Sequence, residues 1–183
     1  MCIYCQKKLQ FDIKKSFISN YTHYFYSYYS DDLKQLFYSI KFDYNKHLLI
    51  EFSNLFLNRG LDKCLSEFDY FVPIPYHSSR LNSRGYNVLD YLFLFLEKKY
   101  NIQKIPLLIR KKSTKNLALY RKKDRFAILD DVFELNSLTL KPNSKVLLVD
   151  DIVTTKSTMK AAINKLNLIS HIEAISCLSI IKV

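Results

Sequence analysis

Two adjacent carboxylates and a group of hydroxyls lie close together in the final third of the sequence. Asp150 and Asp151 directly follow the apolar run 146–149, which is typical of a strand buried in the middle of a sheet. The next polar residues are Thr154, Thr155, Lys156, Ser157 and Thr158. Backbone amides at a helix start, supplemented by such hydroxyls, can hold a phosphate. Carboxylates repel phosphate but accept hydrogen bonds from sugar hydroxyls, so a ribose 5-phosphate fits both halves of the motif.

The segments around this motif predict how it is positioned. Residues 145–149 predict a strand, 157–166 a helix and 172–181 a second strand. Strand, helix and strand in this order form a βαβ unit, whose strands are parallel and whose crossover is right-handed. We therefore predict an α/β fold with a central, mostly parallel sheet flanked by helices. Ligands of such sheets bind at the carboxyl ends of the strands, where the two acids are expected to lie.

The N-terminal part of the chain supplies further elements. An aromatic-rich run at 23–29 predicts a strand, and Ser30, followed by two aspartates, is typical of a helix start. The other predicted elements are helices over 45–58 and 85–96, and strands over 70–74 and 105–109. We expect residues 1–20 to be an irregular leader and residues 21–183 to form one domain.

The 183-residue chain has a formal net charge of +11, which favours polyanionic partners. The partners compatible with this charge are nucleic acid, a nucleotide-like substrate and an anionic membrane surface. The alternative is a basic surface that binds no partner and serves solubility alone. No window reaches the roughly 18 apolar residues that span a bilayer, and no cleavable signal opens the chain. We therefore expect a cytoplasmic protein without membrane insertion. The cysteines would be reduced in the cytoplasm. The chain has four of them, Cys2, Cys5, Cys64 and Cys177.

The segment 146–158 resembles the signature of phosphoribosyltransferases that use phosphoribosyl pyrophosphate. In that family the paired acids hold the ribose hydroxyls and the following loop holds the 5-phosphate. The upstream segments 72–75 and 84–87, with His77 and Arg80, resemble ComF proteins, which act in bacterial DNA uptake. The resemblance covers roughly residues 70–180. It implies a type I phosphoribosyltransferase-like fold, catalytic roles for the two acids, and phosphate binding by residues 154–158.

This resemblance implies roles for several basic residues as well. Arg80 and Arg84 would bind pyrophosphate through charge-assisted hydrogen bonds, with Mg²⁺ as the cofactor of phosphoribosyl pyrophosphate. A basic segment would bind single-stranded DNA, and its predicted contacts are Arg110, Lys111, Lys112, Lys115, Arg121, Lys122 and Arg125. Cys2 and Cys5 form half of a possible zinc site. Zinc is not expected, because a structural site needs four ligands and no second closely spaced pair occurs.

The sequence departs from the family at three positions. Lys156 replaces a glycine of the phosphate loop, where it could either lend its ammonium to the phosphate or crowd the site. Val88 and Leu117 replace glutamines. Three functions therefore stay open. The protein could be a competence protein that binds phosphoribosyl pyrophosphate, single-stranded DNA and other uptake proteins. It could also be a metabolic enzyme that transfers ribose 5-phosphate to a small nitrogenous acceptor, or an inactive interaction protein.

Overall fold

The computed structural model describes residues 12–42, 47, 48, 50, 51, 65–76, 89, 97, 99–111 and 132–183. The strands in these parts of the chain are β1 (Lys14–Ile18), β2 (Tyr21–Tyr28), β3 (Tyr70–Pro73), β4 (Gln103–Lys104), β5 (Leu108–Arg110), β6 (Phe133–Leu135), β7 (Ser144–Val153) and β8 (Ile172–Lys182). The helices with described bounds are α1 (Asp31–Phe42) and α2 (Ser157–Leu166).

Six of these strands form one sheet, in the order β1-β2-β8-β7-β3-β4. The neighbours from β2 to β4 pair in parallel, and β1 pairs antiparallel with β2 at one edge. The predicted α/β fold with a mostly parallel sheet is therefore confirmed. Strand β7 lies in the interior of the sheet, and each side chain of 146–149 is at most 1% exposed. A continuous apolar run is what a strand covered on both faces requires.

The βαβ unit is confirmed as well, since α2 connects β7 to the parallel neighbour β8. Val146 and Leu148 pack in one cluster with the buried side of α2, while Leu147 and Val149 pack in a second cluster with α1. Because successive residues of a strand point to opposite faces, the two helices cover opposite faces of the sheet. Each fully buried Leu or Val side chain contributes about 1.5–3 kcal/mol to this packing.

Helix α1 begins as its sequence predicts. The hydroxyl of Ser30 accepts a hydrogen bond from the Leu33 amide at 3.3 Å, and Asp31 and Asp32 lie in the first turn. The hydroxyl satisfies one of the amides that a helix start leaves without a partner, and the carboxylates face the positive end of the helix dipole. Leu33, Phe37 and Ile40 are all buried, at 2% exposure or less, so the predicted apolar face is the one that packs.

Two predicted elements differ in the structure. The expectation of an irregular leader is wrong for residues 14–18, which form β1 and continue the sheet beyond β2. The predicted strand over 105–109 is divided, since β4 ends before it and β5 belongs to a separate two-stranded sheet with β6. Pro106 explains this division, because proline has no amide hydrogen for a ladder. The Leu107 amide bonds instead to the Ile105 carbonyl at 3.0 Å, which forms a tight turn.

The predicted helices over 45–58 and 85–96 lie mostly outside the described residues, as does the segment 1–11. None of the helices in the described parts of the chain combines the length and the apolar character that a bilayer crossing needs.

Candidate functional site

The two carboxylates lie near the carboxyl end of β7. Asp150 is 8% exposed and Asp151 is 6% exposed, so both side chains are largely withdrawn from water. The Oδ1 atom of Asp150 accepts a hydrogen bond from the Asp151 amide at 2.9 Å. A buried carboxylate requires such donors, since burial without them disfavours its charge. The sheet thus holds two carboxyl groups at the edge where ligands of parallel sheets bind.

The prediction that the strand ends before these acids is wrong, because β7 continues to Val153. Strand β8 runs beside it over the same length, and Asp150 pairs in register with Ser179. The Val183 amide also bonds to the Val153 carbonyl at 2.9 Å. Ladder hydrogen bonds satisfy the backbone whatever the side chains are, so a polar pair does not end a strand that has a partner.

Tyr76, which the sequence did not single out, contacts this pair of acids. Its side chain is 8% exposed, and its hydroxyl donates a hydrogen bond to Oδ2 of Asp151 at 2.5 Å. Tyr76 follows β3, which lies directly beside β7, and the Ile74 amide bonds to the Val149 carbonyl at 2.8 Å. The loop after β3 therefore reaches the acids. A polar aromatic residue directly after a proline-containing strand end was the signal that could have revealed it.

The hydroxyl segment 154–158 connects β7 to α2. Thr154 and Thr155 are exposed, whereas Ser157 and Thr158 are half-buried in the first turn of the helix. The Thr155 hydroxyl donates to the Ser157 hydroxyl oxygen at 3.1 Å, which draws the two side chains together. The first amides of a helix have no partner within the helix, and they carry the positive end of its dipole. The segment therefore has the donors that a phosphate cradle requires, and residues 154–158 are called the cradle below.

Lys156 occupies a left-handed turn at the start of α2. Its φ angle is 61° and its ψ angle is −3°, a conformation that glycine adopts freely and that costs other L-residues roughly 1–2 kcal/mol. Its ammonium donates a hydrogen bond to the Phe17 carbonyl of β1 at 2.9 Å. The edge strand thus holds this side chain, and its role beside a bound phosphate stays a prediction.

Two of the predicted basic residues lie in the described part of the chain, at the end of β5. Arg110 is half-buried, with one guanidinium nitrogen 3.4 Å from the Pro75 carbonyl oxygen and its central carbon 5.5 Å from the Phe133 ring centroid. Lys111 is exposed and forms an ion pair with Glu134 at 2.9 Å. Arg110 therefore lies against the loop that carries Tyr76.

The remaining predicted site residues lie outside the described residues. They are Arg80 and Arg84 for pyrophosphate, Lys112, Lys115, Arg121, Lys122 and Arg125 for DNA, and Cys2 and Cys5 for zinc.

A buried histidine lies between the cradle lysine and the end of β8. His23 of β2 is 0% exposed, and its ring contacts the hydroxyls of Ser16 and Ser179. Burial lowers the pKa of His23 from 6.5 to about 4, and the positive charges of Lys182 and Lys156 act in the same direction. The imidazole is therefore neutral at pH 7.

Cys177 of β8 is a buried thiol. Burial raises its pKa from 9.0 to about 12, because an apolar environment disfavours the thiolate. The thiolate is the nucleophile and the metal ligand of a cysteine, so this side chain serves packing.

The two acids fit the magnesium that the resemblance described above implies. Mg²⁺ usually keeps several water molecules and binds through one or two carboxylates together with substrate phosphates. Asp150 and Asp151 supply carboxylates of this type. No group of three or more His, Cys, Asp or Glu side chains that could hold a metal occurs among the residues that the structure describes.

Solved structures with a similar fold include three adenine phosphoribosyltransferases. The alignment with the first enzyme covers 98% of this chain and 89% of the enzyme's chain, at 16% sequence identity and a TM-score of 0.48. The enzyme from Saccharomyces cerevisiae, complexed with an imino-altritol bisphosphate and adenine, covers 100% and 90%, at 17% identity and a TM-score of 0.45. The enzyme from Trypanosoma brucei, in complex with AMP, pyrophosphate and ribose-5-phosphate, covers 97% and 79%, at 11% identity and a TM-score of 0.40.

No protein-family model matches the sequence, and neither does any curated protein. All three TM-scores lie below 0.5, so the proposals that follow depend on the residues of the site.

Proposed function

We propose that this protein binds phosphoribosyl pyrophosphate with Mg²⁺ at the carboxyl edge of its sheet. The observation that carries the proposal is the sequence of groups along one chain segment. Two buried carboxylates, Asp150 and Asp151, are followed within a few residues by the exposed and half-buried hydroxyls of the cradle. The first group accepts hydrogen bonds from a diol and the second donates hydrogen bonds to a phosphate, as a phosphorylated ribose requires.

Each group has a distinct task in this proposal. The carboxylates orient the ribose, Tyr76 holds the Asp151 carboxylate in place, and the cradle binds the 5-phosphate. The bound Mg²⁺ would neutralise charge on the pyrophosphate. In a transfer reaction the ribosyl C1–O bond to pyrophosphate breaks and a bond from C1 to an acceptor nitrogen forms. Pyrophosphate leaves, and the acceptor loses its proton to solvent. The buried acids would stabilise the positive charge that develops on the ribosyl ring.

Calorimetric titration with phosphoribosyl pyrophosphate and Mg²⁺ tests this proposal. The wild type is compared with an Asp150→Asn, Asp151→Asn double variant and with a Glu173→Gln control, which removes an exposed carboxylate near the amino end of β8. We expect binding by the wild type and the control, and a loss of at least tenfold in the double variant. A folded wild type that binds no phosphoribosyl pyrophosphate would refute the proposal, and equal affinities of all three would place the ligand elsewhere.

A second proposal concerns nucleic acid, and a cluster of lysines and aromatic rings favours it. Lys182 lies 4.9 Å from the Phe25 ring centroid and 5.7 Å from that of Tyr28, and Lys14 lies 5.9 Å from the latter. The Tyr28 side chain is 57% exposed. Positive charge beside an exposed ring suits a single strand, whose phosphates and unstacked bases bind such groups. Lys182 also pairs in register with Val153, next to the cradle.

We therefore propose, more specifically, that the protein is a cytoplasmic, ComF-like competence protein. It would bind single-stranded DNA during uptake, in contact with other uptake proteins. A Lys14→Gln, Lys182→Gln double variant tests the DNA contact, with exposed Lys141→Gln as the matched charge control. We expect an oligothymidine to bind the wild type with a steep salt dependence, and the double variant to bind less tightly with a smaller slope. Equal slopes for the double variant and the control would exclude this surface.

A further inference from the structure

A chain of hydrogen bonds through the buried side chain of His23 connects three strands of the sheet. The His23 Nδ1 atom lies 3.1 Å from the Ser16 hydroxyl of β1, and its Nε2 atom lies 2.9 Å from the Ser179 hydroxyl of β8. The Ser179 hydroxyl donates its own proton to the Ile181 carbonyl at 3.1 Å. Because a hydroxyl has one proton, the Ser179 oxygen can only accept from His23. Nε2 of the neutral ring therefore carries the hydrogen, and Nδ1 accepts from Ser16.

Both ends of this chain lead to the proposed phosphoribosyl site. At one end Ser179 is the register partner of Asp150 on the neighbouring strand. At the other end Ser16 precedes Phe17, whose carbonyl oxygen accepts the hydrogen bond from the Lys156 ammonium at 2.9 Å. The connection thus runs from the ribose-binding strand across β8, β2 and β1 and returns to the cradle.

The return link depends on the position of β1, which is an edge strand. An edge strand has a ladder on one side only, so side-chain contacts contribute more to its placement than in the sheet interior. Two such contacts attach β1 to β2, namely Ser16 to His23 and the Lys14 ammonium to the Tyr26 carbonyl at 3.0 Å. The Phe17 side chain is 58% exposed and adds little packing.

We infer that His23 is a positioning residue for the cradle. By holding Ser16 it fixes the Phe17 carbonyl where Lys156 can reach it, and that hydrogen bond supports the left-handed turn at the start of α2. The lysine that replaces a glycine in the cradle is then anchored at its tip rather than left to occupy the phosphate position. This role rests on the proposed function for its effect on ligand affinity, but the link between His23 and Lys156 is a property of the chain itself.

The carbon-13 shift of the Phe17 carbonyl, measured by NMR, tests the link without a ligand. Lys156→Met removes the hydrogen bond and defines the shift of the free carbonyl. We expect His23→Leu to move the signal at least halfway to that value, and His23→Gln, whose amide retains a donor and an acceptor, to restore it. Ser179→Ala serves if His23→Leu does not fold, with a partial shift expected. Ser27→Ala, on the same strand, should leave the signal unchanged. A Phe17 carbonyl that keeps its wild-type shift in the His23 and Ser179 variants would overturn the inference.

A double-mutant cycle in the affinity for phosphoribosyl pyrophosphate tests the consequence. His23→Leu and Lys156→Met should each weaken binding about fivefold, which corresponds to one hydrogen bond of about 1 kcal/mol. Because both act through one link, the combined variant should be no more than about twofold weaker than either. Fully multiplied effects would mean that His23 acts independently of Lys156 and would overturn the positioning role. Failure of the wild type to bind would count against the proposed function alone, since the carbonyl shift still decides the link.

Discussion

The neutral, buried state of His23 makes the stability of the protein dependent on pH in a definite direction. The pKa of this histidine is lowered to about 4 in the folded protein, from 6.5. Between these values the unfolded chain binds a proton that the folded protein does not bind, so the free energy of unfolding falls as the pH falls. Each pH unit in this window costs about 1.4 kcal/mol. The whole window therefore removes about 3 kcal/mol, and the loss ends near pH 4, where the folded protein is protonated too.

Urea unfolding between pH 7 and pH 4 measures this effect when the wild type is compared with His23→Gln. The carboxylates contribute equally to both proteins, so the difference between their free energies of unfolding isolates the histidine. We expect the wild type to lose about 3 kcal/mol more than the variant between pH 7 and pH 4.

The result that would refute this reasoning is an equal pH dependence of the wild type and His23→Gln. It would mean that the imidazole is not withdrawn from water, or that its two serine partners stabilise the charged form as well as the neutral form. A larger difference at pH 4 than at pH 5 is part of the expectation, because the effect accumulates across the window.

Three further predictions concern individual side chains. Tyr76→Phe removes the donor to Asp151 and should lower the free energy of unfolding by about 1–3 kcal/mol in urea, and an unchanged value would mean that water replaces the hydroxyl. Lys156→Gly should change stability by less than about 1 kcal/mol, since relief of the left-handed turn offsets the lost bond to Phe17, whereas Lys156→Val should destabilise by more. Cys177 should resist alkylation in the folded protein and react once urea unfolds it, as peptide mapping by mass spectrometry would record.

The parts of the fold that the sequence predicted well are those with strong periodicity and local signals. Helix α2 has its predicted bounds, and α1 starts after its predicted serine cap. The continuous apolar run at 146–149 correctly indicated an interior strand. These elements are specified by short-range features, namely the spacing of apolar residues and the chemistry of a helix start.

The features that the sequence did not reveal depend on partners distant in the chain. Strand β1 begins with two adjacent lysines and a serine, and only its pairing with β2 identifies it as a strand. The extension of β7 through Asp151 depends on β8 in the same way. Tyr76 and His23 acquire their roles from contacts with Asp151 and Ser179, which lie 75 and 156 residues away. Such pairings carry no periodic signal in a single sequence.

Because Asp150 and Asp151 lie inside a paired strand, the carboxylate end of the candidate site is more ordered before a ligand binds than the cradle is. Backbone groups fixed by the ladder with β8 have already lost much of their conformational entropy before a ligand arrives, so a ribose that binds there meets a preorganised surface. The cradle contains exposed threonines and a turn held by a single long side chain, so its ordering is completed at a cost when a phosphate binds. We therefore expect ribose analogues without a phosphate to bind with a smaller entropy loss per hydrogen bond than phosphorylated ones. Strand β7 therefore determines where a ligand binds, whereas the entropic cost of ordering the cradle determines how much of the interaction energy remains as affinity.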